Sequence, residues 1–255
     1  MTHATPSTKS LSLALTIFLL APLALVAQAD KSPKARAAAP AASLAADKGT
    51  FRILLDGQPV GSEEFEISQD GRDWQARATS QITTANGTTT QVKGTLRLTA
   101  DGTPLRYEWS TQGEKKAGAL VDFRSGVASA TLLLENSQPF EQQFTFDSPR
   151  IVILDNNLYH HYAILARLYD WSARGAQTFP VLIPQEMTPG SITVESLGAV
   201  SASRTGSRDP QLIEGKTLEL LRARTPDLEI DLYLDSARRL VQLIVPSSKA
   251  LILRE

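Results

Sequence analysis

Two adjacent histidines, His160 and His161, are the side chains best placed to do chemistry near neutral pH, because unperturbed imidazole titrates there. Asp155 or Asp170 could orient one of them, the arrangement of a hydrolase base. Consecutive helical residues diverge by about 100°, so the two rings do not readily chelate one ion. Zinc helices carry histidines at i and i+4 with a glutamate between them, and that spacing is absent here. His161 shares a stripe with Leu158 and Leu165, where a hydrogen-bonded core histidine is the ordinary explanation. No cysteine occurs, which removes thiolate nucleophiles and cysteine-type metal sites. The mature chain holds neither a Gly-x-Ser-x-Gly elbow nor a Ser-x-x-Lys pair. Glu63-Glu64-Phe65-Glu66 puts Glu64 and Glu66 on the polar side of a strand, the look of a solvated face and not of a glycosidase pair. No catalytic residue, metal or cofactor is expected. The three tryptophans, Trp74, Trp109 and Trp171, suit a pocket wall or a core equally.

The elements that must position these residues are mostly strands. Asp56-Gly57, Asp70-Gly71, Asn86-Gly87 and Asp101-Gly102 recur every 14 to 16 residues, and each is a hairpin signal. Between them apolar and polar residues alternate. Val92, Leu96 and Leu98 oppose Lys93, Thr95 and Arg97; Leu228, Ile230, Leu232 and Leu234 oppose Glu229, Asp231 and Tyr233. Phe140, Phe144 and Phe146 mark a further strand, with Gln142 out of character on the same side. Such strands build a sheet with one covered and one wet face. About a dozen strands are expected by this reading, from near Thr50 to near Ala250, and a sheet that wide must curl, split or close. The expected fold is mainly β: a single strongly curved antiparallel sheet or open barrel (meander) with one buried helix near 156–172. Asp155-Asn156-Asn157 is its expected cap. Leu158, Tyr162, Leu165 and Tyr169 follow at helical spacing, with Ile164, Leu168 and Trp171 beside them, so the helix is apolar nearly all round and plugs the concave face. Thr178–Pro184, bracketed by prolines, reads as an edge strand or rim loop.

The address is written at the start. Lys9, the apolar run from Leu11 to Val26 and Ala27-Gln28-Ala29 form the layout of a cleaved secretory signal over 1–29. A spanning anchor needs about 20 unbroken apolar residues, and Pro22 interrupts this run. Residues 30–48, rich in Ala, Pro and Lys, read as a flexible tether, and 49–255 as one β-rich domain. With 26 basic and 27 acidic residues, the chain lacks the basic stripe of a nucleic-acid binder. The expected place is the periplasm, or outside the cell, with no membrane span left after cleavage.

Three stretches together resemble a family. They are Gly49-Thr-Phe-Arg-Ile with Asp56-Gly-Gln-Pro-Val-Gly61, then Asp155-Asn-Asn-Leu-Tyr-His-His161, then Leu232-Tyr-Leu-Asp235 with Arg239-Leu-Val and the final Leu253-Arg254-Glu255. The chain is similar over 49–255 to secreted bacterial domains of unknown function that fold as a long antiparallel meander (half-barrel) around one helix. That resemblance implies a fold and a compartment and supplies no catalytic residues. A looser likeness is to lipoprotein-carrier (LolA-type) half-barrels, in overall layout alone. The expected function is non-enzymatic: binding an apolar or lipid-like ligand, or an envelope partner, in the half-barrel groove. Asn157, Tyr159 and His160 would fix a polar head group at the mouth, with His161, Tyr162, Leu165 and Trp171 completing the site. The alternatives are an envelope scaffold without ligand, and a hydrolase using His160 or His161 with Asp155.

Overall fold

A computed structural model describes residues 44–84, 86–113, 116–201 and 217–255. The expected signal (1–29) and residues 30–43 of the expected tether lie outside the described residues. The outgoing strands are β1 (Asp47–Leu55), β2 (Gln58–Asp70), β3 (Asp73–Thr83), β4 (Thr89–Leu98), β5 (Pro104–Gln112), β6 (Ala117–Arg124), β7 (Val127–Leu134) and β8 (Phe140–Thr145). The two-residue β9 (Val152–Ile153) and helix α1 (His160–Leu168) come next. The return strands are β10 (Gln177–Ile183), β11 (Thr188–Ser201), β12 (Thr217–Arg224), β13 (Glu229–Leu234), β14 (Leu240–Val245) and β15 (Ala250–Arg254). The expected start of a strand near Glu214 falls outside the described residues.

The fifteen strands among the described residues belong to one open sheet, in the order β8 to β1, then β15 back to β9. Every pairing is antiparallel except β9 with β10. From β1 in mid-sheet the chain works outward to the β8 edge, crosses to the opposite edge and returns until β15 meets β1. The crossing fixes the curvature. Residues 146–151 are all that join β8 to β9, and that length of chain reaches about 25 Å at most. Fifteen flat strands would hold the two edges about 65 Å apart, so the sheet has to curl until they approach each other. Contact between β6 and the 3₁₀ turn Pro184–Glu186, which follows β10, is the consequence.

Hairpin chemistry explains the meander locally. Asp56 and Gly57 both take positive φ (50° and 77°) in a two-residue turn, the geometry whose twist suits adjoining strands. Ser125-Gly126 does the same between β6 and β7. In the wider turns a side chain closes the loop, as Thr99 does with Asp101. Pro184–Met187 and Pro246–Lys249 share another form: a proline opens a single 3₁₀ turn, and a left-handed Met187 or Lys249 closes it. Thr178–Pro184 is β10 plus the start of the first of these turns, next to the edge strand β9.

The concave face is lined by small side chains where α1 lies. Ala76, Ala78, Gly94, Ala119, Ala128 and Ala130 are all buried. Leu158 presses on Gly94, where an added Cβ would sit 2.8 Å from the Leu158 Cδ1 methyl. The helix runs over 160–168 and is shorter than the expected 156–172; Asp155-Asn156-Asn157 does not cap it, and Tyr159 stands at the cap position with no side-chain cap bond. Ala163, Ile164, Leu165, Ala166 and Leu168 are buried in the same core as the strands. Among the described residues no helix is long and apolar enough to cross a membrane.

The β1–β15 seam is locked by charge. Arg254 grips buried Asp47 with two bonds, Nη2 to Oδ1 at 2.6 Å and Nη1 to Oδ2 at 3.2 Å, and also donates to the Lys48 carbonyl. Arg167 of α1 comes within 4.0 Å of the same carboxylate. Asp47 and Lys48, the end of the expected tether, are thus the first residues of β1, because that carboxylate is held by the last strand. Gly49 keeps its place because a Cβ would sit 3.0 Å from Arg254 Nη2.

Two stability measurements check this packing. Leu165→Ala should cost about 2–5 kcal/mol in urea unfolding, the range for opening a cavity in a packed core. Gly94→Ala should cost about 1–3 kcal/mol, and clearly less in a Leu158→Ala background. Equal costs in both backgrounds would show that the methyl contact is not what matters at Gly94.

Candidate functional site: a buried polar cluster at the start of the helix

The first amides of a helix have no partners within it, and those of α1 start inside the core. Glu63, from the middle of β2, supplies the missing acceptors. Its Oε2 accepts from the Tyr159 amide at 2.5 Å and its Oε1 from the His160 amide at 3.1 Å. The same Oε1 lies 2.6 Å from His160 Nδ1, and both side chains have no solvent exposure. Strand alternation puts Glu63 here: it faces inward with Phe65 and Ile67, while Glu64 and Glu66 are exposed. Phe65 continues the contact, stacked against His160 at 6.3 Å and Phe51 at 4.8 Å, with the Arg254 guanidinium 5.3 Å from its ring.

A second carboxyl sits beside the first pair. Asp155 Oδ2 accepts the Tyr107 hydroxyl at 2.6 Å, and its Oδ1 accepts the Gln185 amide at 2.9 Å. The expected pairing of Asp155 with a histidine is therefore replaced. Its carboxylate holds β5 and the turn after β10, and only its backbone amide reaches a ring, donating to His161 Nδ1 at 3.2 Å. The two imidazoles lie against each other with centroids 4.3 Å apart, and Tyr107 meets His161 edge-on at 5.5 Å.

Burial dominates the electrostatics. It pushes the Glu63 carboxyl up to about 8, against the lowering effect of the His160 and Tyr159 amides, and Asp155 up to about 7. It pulls His160 down to about 3 and His161 well below the usual imidazole range. Burial favours the neutral form of both partners, so the 2.6 Å contact of Glu63 Oε1 with His160 Nδ1 is a hydrogen bond between uncharged groups. The His161 proton then lies on Nε2, since its Nδ1 accepts from Asp155. Nε2 of both rings is buried without a protein partner among the described residues. No three metal-ligating side chains converge among the described residues. Chemically the cluster is a closed acid–base network that joins sheet to helix.

The other expected site residues scatter around it. Asn157 is half-buried in a left-handed turn (φ 64°), beside Asn156, which bonds Glu186 at 2.8 Å. Tyr159 and Tyr162 are half-buried, and Leu165 is core. Trp171 lies past the helix, its indole N–H donating to the Ala166 carbonyl at 3.1 Å with Arg238 over its ring. His160 and His161 are not at a mouth; they are inside. Glu63, Tyr107 and Gln185 are the members that sequence reasoning missed, and of these only Glu63 carried a signal, its inward parity with Phe65.

No family model matches the chain, and no curated protein does. Among solved structures it is similar to a beta-barrel-like protein of domain of unknown function DUF1849 from Brucella abortus, with a TM-score of 0.56 and 9% identity, covering 84% of this chain and 97% of that one. The two share a fold. A DUF1089 family protein from Pseudomonas aeruginosa aligns at a TM-score of 0.42 and 12% identity, over 73% of this chain and 90% of that one. The resemblance to meander half-barrels of unknown function thus holds for the architecture: one open sheet around one helix.

The cluster sets a pH dependence whose sign can be worked out. Glu63 and Asp155 are raised from 4.5 and 3.8, so their stabilising contribution is complete below those values and is lost as pH climbs toward about 8 and about 7. His160 and His161 are both lowered from 6.5, so their contributions are complete above that value and are lost as pH falls, toward about 3 for His160. The opposed slopes cancel in mildly acidic solution. Thermal unfolding should therefore show a plateau near pH 5–6 and a fall between pH 6.5 and 8. Glu63→Gln, which mimics the protonated acid, should remove the part of the alkaline limb above pH 7, where Glu63 alone still titrates, and should tilt the plateau upward with pH. An unchanged limb in that variant would place the titration elsewhere.

Proposed function

We propose that this protein is a non-enzymatic interaction module of the bacterial envelope, exported to the periplasm by residues 1–29, whose partners dock on its outside. The observation that carries this reading is the filling of the concave face. Leu158, His160, Leu165 and Ala166 have no solvent exposure at all, so the groove a lipid carrier needs beside its helix is occupied by this chain's own side chains. The same burial argues against the hydrolase reading, since neither imidazole meets solvent. A tethered domain with a full interior has its outer surface and its sheet edges left for recognition.

A second reading keeps the apolar ligand and moves it outward. A groove of about 580 Å³ runs along the outer face of β5–β7 past Gly118, Leu120 and Leu133, with Arg106, Glu108 and Glu135 at its sides. Gly118 provides its floor, and the charged residues suit a head group.

Native mass spectrometry of the protein, purified without detergent from the cells that make it, separates the two. The interaction module predicts the bare mass of a chain lacking its first 29 residues. A discrete extra mass that disappears on solvent extraction would overturn it in favour of the outer-groove ligand. Retention of residues 1–29 would remove the export step.

A further inference from the structure

The two edges of the sheet are unlike. At one end β9 is two buried residues leading into the helical segment, which leaves nothing to pair with. At the other end β8 is a full strand, Phe140–Thr145, with four successive exposed residues at its start. Natural edges are blunted by lysine, proline, bulges or a covering element; β8 contains no lysine or proline, and its pairing with β7 is regular. Phe140 is 53% exposed and Leu134 47%.

The backbone of β8 is oriented for pairing. The Phe146 amide donates to the Gly126 carbonyl at 2.8 Å, and Phe144 and Gln142 stand opposite Ala128 and Ala130. Antiparallel geometry alternates the direction of these groups, so even-numbered residues bond β7 and the amides and carbonyls of Glu141, Gln143 and Thr145 point outward. The sequence of the strand then selects a partner. Set antiparallel to its own copy about Gln142, each Glu141 exchanges both bonds with the Gln143 of the other chain. Phe140 lies across from Phe144 and Gln142 from Gln142, both as close, non-bonded pairs. Aromatic meets aromatic, amide meets amide, and no like charges face. A shift centred on Glu141 would oppose two carboxylates, and one centred on Gln143 would press the Gln142 amide on the Phe144 ring.

We propose that β8 is a dimerisation edge, at which two copies of this chain join their sheets antiparallel about a two-fold axis through Gln142. An isologous contact of this kind closes at two subunits, which would spare an open edge from indefinite growth. The inference rests on the interaction-module reading and names its first partner.

Sedimentation equilibrium of the chain as purified from its own cells is the test. A reversible monomer–dimer equilibrium is expected. Gln143→Pro removes an outward donor and no backbone bond to β7, losing there only the exposed contact of Gln143 Nε2 with Ser129 Oγ at 3.3 Å, so it should give a monomer with a melting temperature close to the parent's. Gln143→Glu should weaken the dimer about tenfold by opposing Glu141 twice, and Gln143→Lys should tighten it about tenfold. These two charge variants decide the matter if the proline variant misfolds. A parent that stays monomeric at every concentration overturns the proposal, as does a dimer indifferent to these changes or one that weakens with both charges. A ligand-free monomer would leave the interaction-module reading standing with another partner; an extractable ligand would remove that reading itself.

Discussion

The amides that open α1 lie inside an apolar core, and an unpaired buried donor costs about as much free energy as a lost hydrogen bond. Glu63 is the answer to that constraint, and much of the structure depends on it. A local Asn or Asp cap would have satisfied the helix alone; a carboxyl delivered from β2 satisfies it only when helix and sheet are already together. Secondary and tertiary structure are thereby coupled. The cost is a carboxyl removed from water, offset by the two amides it accepts and by its hydrogen bond with His160.

Room for this arrangement comes from small residues. Ala78 and Gly94 face each other across β3 and β4 under Leu158, and Ala119, Ala128 and Ala130 keep the far side of the concavity shallow. Curvature then does the rest, because the short crossing from β8 to β9 compels the edges to approach. Phe65 carries the coupling onward from His160 to Arg254, which holds the last strand to the first through Asp47. The polar cluster and the ionic seam are two ends of one packed row. With the half-barrel filled by its own helix, the groove over β5–β7 and, among the described residues, the unpaired β8 edge both lie on the outside.

Much of the fold was legible before the structure. Asp-Gly and Asn-Gly pairs announce hairpins because their glycine accepts a positive φ, as Gly57, Gly71, Gly87 and Gly102 all do, and alternation announces strands because a half-buried sheet demands period two. The apolar circumference of 158–171 announced a buried helix, which forms over the shorter span His160–Leu168. Its beginning was misread, since Asp155 has the chemistry of a cap but is drawn away by Tyr107 and the Gln185 amide. The candidate site was legible only in part. His160 and His161 stood out by rarity, but only His161 shares the stripe of Leu158 and Leu165 that points inward; His160, expected at the mouth, is buried as completely because Glu63 meets it inside.

By itself, the amino-acid sequence determined the local elements, the absence of thiol chemistry and the all-but-neutral charge, because each depends on residue type or short-range spacing. Only the tertiary structure decided which carboxyl meets which imidazole. Glu63 and His160 are 97 positions apart, Tyr107 and Asp155 are 48 apart, and Asp47 and Arg254 are 207 apart. Contacts of that range are set by strand order and by the curl of the sheet, and those come from the packing of the whole chain at once.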